Sequence, residues 1–244
     1  MATPLLVLVT GPPAAGKTTV AWEIAARLGL PLVAKDTIKE ALYDALGVGD
    51  LEWSTRLGGA TFAVLWALLE DSLRAGASVV AEANFVRGES ELDVVRLPES
   101  TVVQVHCSAP LEVLVERYES RKRHPGHVDG ERIEALRESV RSGRHDPLEL
   151  AGETIRVDTS TPVDLEALLD RIRRAVLWQA IGGAAGPAGE TTPLTEKVRS
   201  AAWKIADADV AGLSADEVYE TVLPVAFAAA DEKRRRAHEA IDAG

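Results

Sequence analysis

The sequence predicts an α/β fold in which a parallel sheet carries helices on both faces, followed by a small all-helical segment. Short runs rich in Val and Leu have no polar face, as in strands buried on both sides. These runs are Leu5–Val9, Leu32–Ala34, Ser78–Ala81, Val102–His106 and Thr154–Val157. Segments with helical periodicity follow them, namely Lys17–Leu28, Thr37–Leu46, Thr55–Ala75, Leu111–Lys122, Gly130–Ser142 and Val163–Ala180. Alternation of this kind is typical of a doubly wound sheet.

The chain is expected to divide into three parts. Residues 1–180 contain all the strand and helix alternation and are predicted to form one α/β domain. Residues 181–193, IGGAAGPAGETTP, lack periodicity and are dense in Gly, Pro and Ala, so we interpret them as a linker. Residues 194–244 are helical in pattern but too few for a core of their own. We expect this tail to dock on the domain or to form a homo-oligomer with a second copy.

Composition narrows the functional class. The 244 residues are 46% hydrophobic and 27% charged, as in an ordinary globular protein, and no stretch is long and apolar enough to span a membrane. A single cysteine, Cys107, excludes an internal disulfide and suits a reducing cytoplasm. The formal net charge of −11 argues against a large nucleic-acid surface.

The most specific motif is a phosphate-binding loop. Gly11-Pro12-Pro13-Ala14-Ala15-Gly16-Lys17-Thr18 matches G-x-x-x-x-G-K-[ST] and lies between an apolar run and a helical one. The small residues allow backbone N–H groups to reach phosphate oxygens, and the helix directs its positive end at the same anion. We expect Lys17 to contact the β- and γ-phosphates and Thr18 to bind Mg²⁺. Thr19 completes the predicted nucleotide-binding set.

Asp36 and Lys39 follow the second predicted strand. Ligands of open parallel sheets bind at the carboxyl ends of the strands, so both residues are expected to share a crevice with the loop. A carboxylate there can accept the proton of an attacking hydroxyl, and Lys39 can neutralise charge on the acceptor or on the γ-phosphate. The alternative is that Asp36 only caps the helix Thr37–Leu46.

The third predicted strand ends in polar residues. Glu82 is expected either to hold Mg²⁺ through water or to contact a substrate hydroxyl, and Asn84 and Arg87 to line the acceptor pocket. The alternative for each is an ordinary polar strand end. None of the apolar runs is followed by the Asp that often supports Mg²⁺ in such sites.

Residues 117–127, RYESRKRHPGH, are the most basic stretch of the chain. Arg117 and Arg121 lie four residues apart on a predicted helix, and Lys122 and Arg123 precede a Pro-Gly break. Such a segment predicts a lid whose cations stabilise the transferring phosphate. The alternative is a solvated helix face paired with glutamates. The histidines at 124, 127 and 145 fit no zinc spacing and are expected to contact phosphate or face water.

Taken together, GPPAAGKTT, Asp36, the RYESR helix and the late VDTST resemble the small P-loop kinases of the AAA-type ATP-binding group. This group includes chloramphenicol phosphotransferase, zeta toxin and the polynucleotide kinase domain. The resemblance covers residues 1–180. It implies ATP and Mg²⁺ as cofactors, Lys17 and Thr18 as phosphate and Mg²⁺ residues, and Asp36 as general base. Lys39 stands where polynucleotide kinase has an Arg, whose bidentate grip a lysine lacks.

The same resemblance extends to two further features, the lid arginines and the segment after the last predicted strand. Arg117, Arg121 and Arg123 match the lid arginines, and Asp158-Thr159-Ser160 lies where such folds hold the adenine base. For Asp158 the alternative is a helix cap before Pro162.

The tail faintly resembles the helical segment of alkylhydroperoxidase-like proteins but has no cysteine, which leaves helical packing as the shared feature.

The leading functional hypothesis is a Mg²⁺–ATP-dependent kinase that phosphorylates a hydroxyl of a small molecule. A kinase of a nucleic-acid 5′-hydroxyl is the runner-up, because single strands need only a short basic groove. An ATP-dependent switch or ATPase acting through partner binding is the third, and it lacks an assignable water-orienting residue. No guanine signature N-K-x-D is present, which favours ATP over GTP.

Overall fold

A computed structural model describes residues 3–121, 124 and 133–180. Within these ranges the strands are β1 (Leu5–Thr10), β2 (Leu32–Ala34), β3 (Val79–Glu82), β4 (Thr101–Ser108) and β5 (Glu153–Asp158). The helices are α1 (Lys17–Leu28), α2 (Lys35–Leu46), α3 (Leu51–Arg74), α4 (Ser90–Val95), α5 (Leu111–Ser120), α6 (Ile133–Arg141) and α7 (Leu165–Ala180). The predicted linker, 181–193, and the predicted tail, 194–244, lie outside the described residues.

The strands form one sheet in the order β2-β3-β1-β4-β5, and β1 pairs in parallel with both β3 and β4. β5 pairs in parallel with β4. The central strand β1 is buried along its whole length, as its uniformly apolar sequence predicts. The prediction of a parallel α/β sheet is confirmed. The carboxyl ends of the strands place Glu82 level with Val9, His106 level with Thr10, and Asp158 level with Ser108.

Contacts divide the chain into two compact units. The described part of the larger unit comprises residues 3–32, 69–121 and 133–180, and that of the smaller comprises 33–68 and His124. In the larger unit, alternate residues of the strands pack against α1 and α7 in a core that includes Val7, Val105 and Ile172. The smaller unit contains α2 and most of α3. No helix in the described ranges is long and apolar enough to cross a membrane.

Helices α2 and α3 both begin before the residue that the sequence predicts. α2 begins at Lys35, so Asp36 lies in the first turn, and Ala34 at the N-cap makes no side-chain capping bond. The alternative that Asp36 caps this helix is therefore wrong, although its charge suits the positive helix end. α3 begins at Leu51 because Asp50 Oδ1 accepts the N–H of Trp53 at 2.8 Å.

The capping alternative for Asp158 is also wrong. α7 begins at Leu165, and Asp164 Oδ1 accepts the Ala167 N–H at 3.0 Å. Asp158 instead accepts the N–H and the hydroxyl of Ser160 at 2.8 and 2.6 Å. These bonds lower the pKa of Asp158 below its usual 3.8. Asp158 thus shapes the turn that follows β5.

Three further helices differ from the sequence expectation. α5 ends at Ser120, and Arg121 has an extended backbone at φ −69° and ψ 136°. Arg121 and Arg117 therefore do not share a helix face, which corrects the spacing argument. The short helix α4, Ser90–Val95, was missed because six residues are too few for periodicity to be recognised. Of the segment predicted as Gly130–Ser142, residues 133–141 are helical and 130–132 lie outside the described ranges.

Candidate functional site

The phosphate-binding loop, Gly11–Thr18, joins β1 to α1 and depends on glycine at two positions. Gly11 has φ 134°, and a Cβ there would lie 2.1 Å from the carbonyl oxygen of Cys107 on β4. Gly16 has φ 70° and serves as the N-cap of α1. Ala14, at φ 64°, is a non-glycine residue with positive φ. The loop therefore contains three positions with positive φ, a backbone geometry found in loops that bind anions through their N–H groups.

Lys17 is buried at the first position of α1, and its Nζ donates to the Pro12 carbonyl at 2.8 Å. The same carbonyl accepts the Ala15 N–H at 3.3 Å. The ammonium group thus folds back across the loop that the sequence assigns to phosphate. An incoming phosphate oxygen offers it a stronger, charge-assisted acceptor than this carbonyl.

Thr18 and Glu82 meet beside the loop. The Thr18 hydroxyl donates to Glu82 Oε2 at 3.3 Å, and Glu82 is buried at the end of β3. A hydroxyl and a carboxylate oxygen are donors that suit Mg²⁺, which also takes phosphate oxygens and water. The donor set therefore fits the predicted cation. The sequence contains a sign of this carboxylate in VVAE, residues 79–82, where an apolar run is followed by Glu instead of the Asp that often supports Mg²⁺.

Within the described residues, no group of three or more His, Cys, Asp or Glu is arranged to hold a metal ion. Thr19, also predicted to bind nucleotide, is exposed on α1.

Arg117 contacts Thr159 in the turn after β5. Its Nη1 donates to Thr159 Oγ1 at 3.2 Å and its Nη2 to the Thr159 carbonyl at 2.7 Å. The Thr159 hydroxyl also lies 3.1 Å from the Ala15 carbonyl of the loop and 3.1 Å from the Ser108 carbonyl. The turn after β5 is therefore tied to both α5 and the phosphate-binding loop, a role that the sequence analysis did not identify for Thr159.

The remaining lid positions are only partly described. The Arg121 guanidinium lies over the Tyr118 ring, 4.0 Å from its centroid. Arg123 lies outside the described residues, as do Lys122 and 125–132. Contacts of Arg117, Arg121 and Arg123 with a transferring phosphate stay predictions.

In the smaller unit, α2 carries Asp36 and Lys39. Asp36 is partly exposed, with Lys35 Nζ 3.8 Å from its Oδ1. Lys39 is buried, and its Nζ donates to Ser54 Oγ at 3.1 Å, an oxygen that also accepts the Tyr43 hydroxyl at 2.7 Å. These bonds fix α2 against α3. The crevice that Asp36 and Lys39 are expected to share with the loop stays a prediction.

His124 also belongs to the smaller unit. Its ring stacks on Tyr43 with centroids 5.5 Å apart, and its Nε2 lies 3.0 Å from Asp44 Oδ1. This residue of the basic stretch therefore contacts α2.

Residues 143–149 hold the loop that carries Asn84 and Arg87. Arg87 forms ion pairs with Glu149 and, at 3.8 Å, with Asp146, and its pKa is raised, chiefly by Glu149. Its backbone N–H donates to the Arg144 carbonyl at 3.0 Å. Asn84 is partly buried after the end of β3. The contact of both residues with an acceptor stays a prediction.

Two histidines on this side of the sheet are buried rather than solvated. His145 Nδ1 lies 3.1 Å from the Phe85 carbonyl, so the expectation that His145 faces water is wrong. His106 Nδ1 lies 3.4 Å from the Thr10 hydroxyl at the end of β1. Burial, and then the charge of Arg156, lower the pKa of His106 from 6.5 to about 4. The His106 ring is therefore neutral near pH 7.

Comparison with solved structures shows similarity over most of the described fold. A protein from Chloroflexus aurantiacus j-10-fl, whose kinase activity is itself inferred, is 38% identical, with a TM-score of 0.65, over 71% of this chain and 98% of its own. A sugar kinase from Janibacter sp. HTCC2649 is 21% identical, with a TM-score of 0.48, over 75% and 97%. Shikimate kinase from Acinetobacter baumannii is 19% identical, with a TM-score of 0.46, over 73% and 95%.

No curated protein matches the sequence. A family described as AAA domain matches residues 6–142, more than half of the chain, and this range contains the phosphate-binding loop, Asp36 and the helix that carries Arg117. The resemblance to P-loop kinases of the AAA-type group is thereby confirmed. The chain belongs to the AAA domain family.

Proposed function

We propose that the chain is a Mg²⁺–ATP-dependent phosphotransferase that moves the γ-phosphate to a hydroxyl of a small molecule. The observation that carries the proposal is the loop Gly11–Thr18 with its buried lysine, next to the Thr18–Glu82 pair. The inferred kinase activity of the 38% identical protein from Chloroflexus aurantiacus supports the same reaction class.

At the phosphate end, this chain supplies positive charge and fixed donors. The loop N–H groups and the start of α1 bind the β-phosphate, while Lys17 moves from the Pro12 carbonyl to a phosphate oxygen. Thr18 Oγ1 and Glu82 are the oxygens that would hold Mg²⁺, which supplies charge neutralisation on the phosphates when bound. Because phosphoryl transfer depends mainly on positioning and charge, these few groups suffice.

At the acceptor end, Asp36 accepts the proton of the attacking hydroxyl. A bond forms between the acceptor oxygen and the γ-phosphorus as the bond from that phosphorus to the β–γ bridging oxygen breaks, and ADP leaves. Lys39 balances negative charge near the acceptor, and Asn84 and Arg87 line its pocket. Arg121 and Arg123 act as lid cations in this scheme.

A small acceptor is favoured over a nucleic acid because the net charge of −11 opposes a polyanion. A 5′-hydroxyl kinase and an ATP-dependent switch that acts through a partner remain the competing functions. The three functions differ in their products. A 5′-hydroxyl kinase phosphorylates the end of an oligonucleotide, whereas a switch or ATPase either hydrolyses ATP to free phosphate or keeps ATP bound without transferring its phosphate.

Nucleotide binding by this site is tested with Lys17→Met and with Arg27→Met as its matched control. Arg27 is an exposed cation on the same helix, paired with Glu23 and Glu166. We expect Lys17→Met to weaken Mg²⁺–ATP binding, measured by calorimetric titration, by about 10- to 100-fold, as for a lost charge-assisted bond. Arg27→Met should bind as wild type does.

The cation assignment is tested in parallel with Glu82→Gln. We expect this change to raise the Mg²⁺ concentration needed for half-maximal turnover by about tenfold and to leave ATP affinity without Mg²⁺ unchanged. Equal ATP affinity of wild type and Lys17→Met would contradict the phosphate-loop assignment. An unchanged Mg²⁺ requirement in Glu82→Gln would contradict the assignment of Glu82.

A further inference from the structure

Thr159 connects three parts of the larger unit, namely the turn after β5, the phosphate-binding loop and the end of β4, through its hydroxyl and its backbone N–H. It lies in the turn after β5, its hydroxyl approaches the Ala15 carbonyl of the phosphate-binding loop at 3.1 Å, and its backbone N–H donates to the Ser108 carbonyl at 2.9 Å. We propose that Thr159 is a positioning residue for the nucleotide phosphates, which it controls through the Ala15–Gly16 peptide of the loop. This inference rests on the proposed function for the identity of the ligand.

The hydroxyl of Thr159 is directed by its partners. A threonine hydroxyl has one proton to donate and two lone pairs to accept with. Arg117 Nη1 is a donor only and lies 3.2 Å away, so it occupies a lone pair. The proton of the hydroxyl is therefore directed at the carbonyls of Ala15 and Ser108, each 3.1 Å away.

The hydrogen bond from the Thr159 hydroxyl to the Ala15 carbonyl also orients the N–H group of Gly16, which belongs to the same peptide. In a trans peptide the C=O and the following N–H point in opposite directions, and none of the described peptide bonds is cis. The N–H of Gly16 therefore points away from Thr159. Gly16 also presents its α-carbon to Thr159, since a Cβ there would lie 3.6 Å from the Thr159 Cβ. Thr159 thus acts on one side of the peptide, and the donor for phosphate faces the other.

Arg117 completes this arrangement from α5. Because it donates to both the hydroxyl and the carbonyl of Thr159, it restrains the Thr159 side chain and backbone together. Arg117 thereby acts on the loop through Thr159. A contact of this kind keeps the Gly16 donor fixed before the ligand arrives, which reduces the ordering that binding must supply.

The test compares two variants and two probes. Thr159→Val keeps the shape and removes the hydroxyl, whereas Thr159→Ser keeps the hydroxyl. Each is titrated with Mg²⁺–ATP and with Mg²⁺–tripolyphosphate, which carries the phosphates without a base. We expect Thr159→Val to weaken both probes by the same factor, about tenfold, because one loop donor loses its orientation. Thr159→Ser should restore both affinities to within about twofold of wild type.

Other outcomes overturn the inference. A loss confined to ATP would assign Thr159 to the base rather than to the loop, and unchanged binding of both probes would remove the role altogether. If Thr159→Val fails to fold, Thr159→Ala, which also removes the hydroxyl, serves instead and should weaken both probes equally. Wild-type protein that binds neither probe would contradict the proposed function itself. Failure of this inference alone requires a wild type that binds both.

Discussion

Gly11 decides how closely the phosphate-binding loop approaches strand β4. Its φ of 134° is a conformation that L-residues rarely adopt, and a Cβ at Gly11 would lie only 2.1 Å from the carbonyl oxygen of Cys107. Gly16 also has positive φ, but a Cβ there would meet Thr159 only at ordinary contact distance, 3.6 Å. The two glycines of the motif therefore have different structural roles. The sequence motif predicts both glycines but cannot distinguish them, because the backbone of β4 comes from a distant part of the chain.

Replacing these glycines by alanine should separate the two roles. Gly11→Ala forces a Cβ into the Cys107 carbonyl, so we expect it to lower the free energy of unfolding by about 3 kcal/mol. Gly16→Ala adds only the strain of a left-handed alanine, about 1 kcal/mol. Urea denaturation of both variants measures the difference. Equal losses in the two variants would contradict this account of the loop.

At the scale of elements, β4 presents different chemistry on its two faces. Cys107 and Val105 belong to the core beneath α1, whereas Gln104 on the other face donates to the Leu148 carbonyl and accepts the Leu148 N–H. The apolar pattern of β4 predicts the strand. The pattern does not predict the contact of Gln104 with residues 143–149. Here a side-chain amide bonds a distant backbone, and such a contact leaves no hydrophobic periodicity in the sequence.

The single cysteine offers a direct test of this burial. Burial raises the pKa of the Cys107 thiol from 9.0 to about 12, so the reactive thiolate is scarce at neutral pH. We expect Ellman's reagent to leave the native protein unlabelled and to count one thiol per chain in denaturant. Rapid labelling of one thiol in the native protein would contradict the packing of β4 beneath the loop.

Among the helices and strands, the type of each element was easier to predict from the sequence than the residues at which it begins and ends. Gly29, at φ 65°, terminates α1 where the sequence predicts, because its N–H bonds the carbonyls of Ala25 and Ala26. Asp36 was expected to precede its helix but lies inside the first turn of α2. One residue type serves both positions, so composition alone does not separate them.

At the scale of the whole molecule, the net charge of the chain has the same sign as the ligand that its site is proposed to bind. The chain has a formal net charge of −11, yet its proposed ligand is a polyanion. In the proposed complex, Lys17, the loop N–H groups and Mg²⁺ would supply positive charge locally, because a buried cation acts at short range while distant surface charges are screened. The phosphate end of the site could therefore be predicted from a short motif. The acceptor could not, because the residues proposed to contact it, Asp36, Asn84 and Arg87, come from separate segments of the chain.

The most direct test follows the γ-phosphate itself. The protein is incubated with Mg²⁺ and ATP labelled at the γ-phosphate in a cell metabolite extract, and labelled products are identified by mass spectrometry. Asp36→Asn is compared with wild type, and Asp71→Asn, an exposed carboxylate on α3, serves as control. The account predicts a phosphorylated metabolite with wild type and with Asp71→Asn, and none with Asp36→Asn, which still binds ATP. Labelled inorganic phosphate alone, or normal transfer by Asp36→Asn, would contradict it.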